Sequence, residues 1–210
     1  PNGTVIASST SGFAMTEMQA GAQNPGRLVV GHPFNPPYLL PLVEVVGGDN
    51  TDAAAVAWAG AFYEASGKTV ITMEQEVPGF IADRLQQAIW HEALHMIQAG
   101  EATVAEIDKA IAAGPGLRWA IMGHCLTFHL AGGQGGMAHF LDHFDPATGA
   151  PWTRAAAPEL TPALRKTLIS GSEQAAGGRS VAQLVEHRDR CLVALLKALD
   201  TARGDDGAIP

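Results

Sequence analysis

The stretch that most constrains this chain is RLVVGHPFNPPYLLPLVEVVGG, Arg27 to Gly48. Leu28–Val30 and Leu42–Val46 are runs of aliphatic, largely β-branched residues bounded by Gly and Pro, and such runs read as buried strands. His32 follows the first run and Glu44 sits inside the second. Burying an imidazole or a carboxylate without a partner costs several kcal/mol, so the two are expected to meet in a His–Glu hydrogen bond. That bond would orient the ring and raise its basicity, as a general base requires. The competing reading is a core histidine satisfied by its neighbours and without a chemical role. Pro33, Pro36, Pro37 and Pro41 forbid a helix between the strands and stiffen the connection. Asn35 is expected to brace that loop through backbone hydrogen bonds, with a cofactor contact as its second reading.

The rest of the chain divides in two. Thr4–Ala7 reads as a strand, Phe13–Ala22 as a short helix, Asp52–Ser66 as a helix capped by Thr51, and Lys68–Met73 as a strand. This alternation is the tail of a doubly wound α/β domain. From Pro78 helical periodicity takes over: Gly79–Ala99, then Thr103–Ala112 with a Thr103/Glu106 capping box. Leu117–Leu130 follows as one buried helix, apolar all round, then Gly136–Phe144, Leu164–Ala176 and Val181–Thr201. Pro146–Pro162 is expected to be a surface loop and Gly204–Pro210 a frayed tail. The reading is therefore α/β over residues 1–76 and all-α over 77–210.

Composition sets limits on function. A net charge of −8 over 210 residues argues against nucleic acid or anionic membrane as partners. Cys125 and Cys191 are far apart and lack CxxC spacing, which suits free thiols in a reducing cytoplasm. With no secretory leader and no apolar run of about 18 residues, secretion and membrane insertion are not expected. No G-x-G-x-x-G follows a strand; Gly114–Gly116 and Gly133–Gly136 lie outside any βαβ pattern.

GHPFNPP (Gly31–Pro37) followed by PLVEVV (Pro41–Val46) resembles the active-site segment of the 3-hydroxyacyl-CoA dehydrogenase family. The resemblance continues through IASSTSG (Ile6–Gly12), VPGFIADRL (Val77–Leu85), GPGLRWAIMG (Gly114–Gly123), GGQGGMAHFL (Gly132–Leu141) and PWT (Pro151–Thr153). It implies that residues 1–76 are the C-terminal part of a Rossmann-like NAD-binding domain. Roughly a hundred residues, carrying the glycine loop and the ribose-binding acid, are then expected upstream. The all-α part would close over the substrate and form a homodimer interface.

By the same resemblance, His32 takes the proton of a substrate hydroxyl, Glu44 holds the imidazole, and Ser11 positions the hydroxyl oxygen. Ser9 matches a nicotinamide-side position that is usually Asn, a departure from the family pattern. Asp83 also stands where Asn is usual, and its negative charge would suit a cationic substrate better than an acyl-CoA. Tyr38, Trp90, Trp119 and Phe128 lie in segments the family brings near the cleft, where ring faces can hold a quaternary ammonium. Each has an ordinary core role as the alternative. Lysines are few, Lys68, Lys109, Lys166 and Lys197, leaving little for the phosphates of CoA.

The expected activity is NAD-dependent oxidation of a small-molecule 3-hydroxy acid, L-carnitine to 3-dehydrocarnitine in the first place. Alternatives are a 3-hydroxyacyl-CoA, an L-gulonate-type sugar acid (suggested by the GLRWA wording around Arg118 and Trp119), or a dimerising fragment without activity. From another class, His91-Glu92-Ala93-Leu94-His95 is a literal HExxH, the zinc-peptidase pattern. It lacks the extended pattern beyond His95 and a specified third ligand, so no metal site is expected.

Overall fold

The computed structural model describes residues 3–144, 153 and 161–206. Its contacts separate two compact units, Pro1–His91 and Glu92–Pro210. The first unit is built on a four-stranded sheet: β1 (Ile6–Ser8), β2 (Leu28–Pro33), β3 (Leu42–Gly47) and β4 (Thr69–Thr72), side by side in that order. β1 runs parallel to β2, β2 antiparallel to β3, and β3 parallel to β4.

The two aliphatic runs become the central pair because both their faces are covered. Val29, Val43 and Val45 pack against Ala55 and Ala59 of helix α2 (Ala53–Ala65), with Tyr63 alongside. Val30 and Val46 point to the opposite face and meet Met15, Met73 and Phe80. Each fully buried valine contributes about 1.5–3 kcal/mol of apolar transfer, and alternation along the strand assigns His32 and Glu44 to the Phe80 face. Gly31 is glycine for a steric reason: a Cβ there would strike the Tyr63 ring and hydroxyl.

Several local expectations change in the structure. The helix expected over Phe13–Ala22 is a single turn, α1 (Met15–Met18), and long-range bonds hold it. The Thr16 amide and hydroxyl both bond the Glu76 carboxylate. Thr51 does not cap α2; Asp52 occupies the N-cap. The Thr51 hydroxyl instead accepts from the Gly48 amide at 2.8 Å and donates to the Leu28 carbonyl at 2.7 Å, tying the β3 exit to β2. Helix α3 (Ala82–Gln98) begins later than Gly79, because Gly79 (φ +74°) and Phe80 (φ +49°) are both left-handed.

The second unit is helical. α4 (Val104–Ala113) carries the Thr103/Glu106 capping box, with both reciprocal bonds formed. The single buried helix expected over Leu117–Leu130 is two, α5 (Pro115–Trp119) and α6 (His124–Ala131), with extended Gly123 as the N-cap of the second. α7 (Gly136–His143), α8 (Pro162–Ala176) and α9 (Val181–Asp206) complete it. Its core joins Met122 and Leu130 to Ala176 and Leu184. α9 stays helical to Asp206, past the point where the sequence suggests fraying. Apart from Thr153, Thr161 and Pro162, the expected Pro146–Pro162 loop lies outside the described residues. Among the described residues, no helix is long and apolar enough to cross a membrane.

Candidate active site

Antiparallel pairing of β2 and β3 sets His32 directly opposite Glu44. The imidazole Nδ1 lies 3.1 Å from Glu44 Oε2, with His32 5% exposed and Glu44 fully buried. The other carboxylate oxygen, Oε1, accepts from the backbone amides of Ile81 (2.9 Å) and Ala82 (3.1 Å). Those amides open α3, so the carboxylate also sits at the positive end of a helix dipole. An ionised carboxylate only accepts hydrogen bonds. In the neutral ring Nδ1 therefore carries the proton, and the lone pair is left on Nε2.

Nε2 faces a second acid, Asp83 Oδ2, at 3.6 Å, and the Asp83 side chain is one-third exposed. One imidazole thus lies between a buried carboxylate that orients it and a solvent-reaching carboxylate beside its reactive nitrogen. Phe80 stacks on the ring at 5.0 Å between centroids, and Phe34 meets it edge-on at 6.4 Å. Phe80 also lines a cleft of about 310 Å³ with Gly12, Phe13, Glu17, Glu76 and Pro78.

The other residues singled out from the sequence are placed as follows. Ser9 and Ser11 follow β1, whose parallel pairing directs its end the same way as the His32 end of β2. Both are exposed. The turn there is made by Thr10, whose hydroxyl accepts from the amides of Gly12 and Phe13. Asn35 is exposed, and the bonds that hold its loop come from other groups. The Phe34 amide bonds the Leu42 carbonyl, and the Lys68 ammonium bonds the carbonyls of Pro37 and Leu40. Tyr38 is 82% exposed.

Trp119 and Phe128 lie in the helical unit, joined through His124: Trp119–His124 centroids are 5.7 Å apart and His124–Phe128 4.7 Å. Burial, and then the nearby Arg118 charge, lower the His124 pKa from its ordinary value. His124 therefore adds a neutral ring to that run. Trp90 is half-exposed on α3. His91 and His95 share α3, but among the described residues no group of three or more metal-capable side chains forms.

The structure thus brings together His32, Glu44 and Asp83. It adds partners that sequence reasoning missed, Phe80 and the α3 amides. Gly79 was an available signal for a left-handed turn at its own position, but not for Phe80 after it.

Residues 1–77 match the model of the 3-hydroxyacyl-CoA dehydrogenase NAD binding domain, and residues 79–178 match that of the 3-hydroxyacyl-CoA dehydrogenase C-terminal domain. The L-carnitine dehydrogenase of Nocardiopsis dassonvillei is 61% identical over 208 residues, covering 99% of this chain and 63% of the relative. That of Streptomyces griseus is 67% identical over 198 residues, covering 94% and 59%. The chain therefore spans about three-fifths of the length of these curated relatives. Among solved structures, a 3-hydroxyacyl-CoA dehydrogenase from Archaeoglobus fulgidus shares the fold with a TM-score of 0.66 at 23% identity, covering 92% of this chain and 67% of that one.

Proposed function

From the premise that this chain belongs to the 3-hydroxyacyl-CoA dehydrogenase family, we propose that it carries the proton-accepting site of an NAD-dependent dehydrogenase acting on L-carnitine. The observation that carries the reading is the His32–Glu44 pair, which leaves the Nε2 lone pair on the side of the ring that Asp83 faces. In this reaction the secondary hydroxyl of the substrate gives its proton to His32 Nε2 as the carbon becomes a ketone. Glu44 keeps the ring in the right tautomer and stabilises the imidazolium that forms. Because Ile81 and Ala82 fix the other carboxylate oxygen, the ring is held before the substrate arrives, which removes an ordering cost from the chemical step.

NAD supplies hydride acceptance when bound. Ser9 is assigned to the nicotinamide side of the cofactor, at the end of β1. Ser11 is assigned to the substrate oxygen. Asp83 favours a cationic substrate over an acyl-CoA: its charge lies beside the reacting nitrogen, where a quaternary ammonium gains and a polyanion loses. The names of the relatives support the same choice.

Two wider assignments belong to the same proposal. The helical unit is assigned a homodimer contact, supported by the exposed apolar side chains of Leu94, Ile97, Val193 and Leu196. A cytoplasmic setting is supported by the free thiols of Cys125 and Cys191.

The test is to graft this stretch into the Nocardiopsis dassonvillei relative in place of its own matching residues and assay NADH formation. L-Carnitine, a 3-hydroxybutyryl-CoA and L-gulonate are the substrate panel. L-Carnitine is expected to be turned over best, and Asp83→Asn to narrow its lead. A graft that prefers the acyl-CoA would overturn the assignment.

A further inference from the structure

Two histidine pairs at helical i, i+4 spacing are left unused by the proposed chemistry, His91/His95 on α3 and His139/His143 on α7. Spacing alone puts each pair on one helix face; what separates them is where their protons are. We propose that His139 and His143 form a chelating site for one borderline-soft divalent metal ion of the Zn²⁺ or Ni²⁺ class.

The two rings lie 4.1 Å apart between centroids. His139 Nδ1 is 2.9 Å from the Gly132 carbonyl oxygen, and His143 Nδ1 is 2.9 Å from the His139 carbonyl oxygen. A carbonyl oxygen can only accept, so each Nδ1 carries the proton and each Nε2 keeps its lone pair. This is the arrangement that prepares imidazoles as metal ligands: a backbone carbonyl on one nitrogen fixes the tautomer and ring direction and makes the other nitrogen more basic. Both side chains are exposed, so an ion can reach them.

The α3 pair lacks this preparation. The Gln87 amide nitrogen lies 2.7 Å from His91 Nε2, so that lone pair is already engaged. On α7, Asp142 between the two histidines is held by Arg165 and does not compete. No third protein ligand joins the pair among the described residues, so water completes the coordination shell. The net charge of −8 favours cation approach. A bound ion would clasp one turn of α7 and, through the His139–Gly132 bond, the glycine turn before it. None of this depends on the dehydrogenase reading.

The test titrates ZnCl₂ into the 210-residue chain by calorimetry, beside His139→Asn, His143→Asn and a His91→Ala/His95→Ala control. Asparagine at 139 can keep a donor on the Gly132 carbonyl while removing Nε2, so a lost site is not confused with lost folding. The expected result is one ion per chain, an affinity falling by about tenfold or more in either asparagine variant, and no change in the control. Zn²⁺ should also raise the melting temperature of the parent and not of the asparagine variants. Binding should weaken in acid, where protons compete for the imidazoles. Absence of binding to the parent, equal binding to the asparagine variants, or loss in the α3 control would each overturn the proposal.

Discussion

Replacing Glu44 separates what the carboxylate does for folding from what it does for the histidine. It receives three donors, His32 Nδ1 and the amides of Ile81 and Ala82, and is fully buried. In Glu44→Ala all three donors lose their partner. At about 1–3 kcal/mol for each unsatisfied buried group, the loss is on the order of 5 kcal/mol. Domains of this kind have only about 5–15 kcal/mol in total, so the variant should be largely unfolded or close to it. In Glu44→Gln the two amides still need an acceptor, which fixes the side-chain oxygen on them and turns the NH₂ group toward His32. An NH₂ cannot accept from Nδ1–H, so the ring must move its proton to Nε2 and accept at Nδ1. The stability loss should then be modest, about 1–3 kcal/mol, since charge-assisted bonds give way to neutral ones. The base, however, is gone, because Nε2 now carries a hydrogen. Two-bond proton–nitrogen NMR correlations on the neutral ring distinguish the two tautomers. The parent should show the proton on Nδ1 and Glu44→Gln on Nε2. The same tautomer in both proteins would refute the reasoning.

Other perturbations test neighbouring parts of the account. Phe80 is buried at φ +49°, so Phe80→Gly should be no less stable than Phe80→Ala in urea unfolding; glycine's freedom at positive φ offsets the methyl it lacks. The Thr103 backbone and side-chain hydrogen bonds lower the Glu106 carboxyl pKa. Its capping contribution is therefore complete above the ordinary glutamate range and lost as the pH falls through the lowered value. NMR titration of Glu106 should show that lowered value, and Thr103→Val should return it toward normal. His124 is held low by burial first and by Arg118 second, so charging it opposes folding: stability of the helical unit is full above the ordinary histidine range and falls in acid. Arg118→Gln should raise the His124 pKa without restoring it fully, because burial remains; no change would remove Arg118 as a cause.

The central pair was readable in the sequence because continuous aliphatic runs with Gly and Pro at their ends leave few conformations open. A polar residue inside each run then demands a partner. Pairing by hydrogen bond followed from desolvation alone, and the Thr103/Glu106 box from spacing alone. What could not be read depended on distant contacts. Helix α1 ends early at a turn through left-handed Gly21, and its first turn is capped from sixty positions away, where Glu76 takes the Thr16 amide. Thr51 leaves its cap to donate to the Leu28 carbonyl, a partner twenty-three positions away. The break at Gly123 was hidden by apolar residues on both sides. Phe80 was missed for the opposite reason: nothing in a phenylalanine announces a left-handed backbone, which tertiary packing imposes. Asn35 was expected to brace its loop, yet it stands exposed, and the loop is held by main-chain bonds and by Lys68, thirty-one positions from the Pro37 carbonyl it reaches.

The most direct test of the central claim is His32→Ala in the grafted dehydrogenase, with kcat for L-carnitine oxidation measured beside direct binding of L-carnitine and NAD. General-base catalysis is worth about 10²–10⁴-fold, so kcat should fall by that amount while both ligands still bind. A variant that binds both and turns over at the parent rate would contradict the assignment of His32 as the proton acceptor.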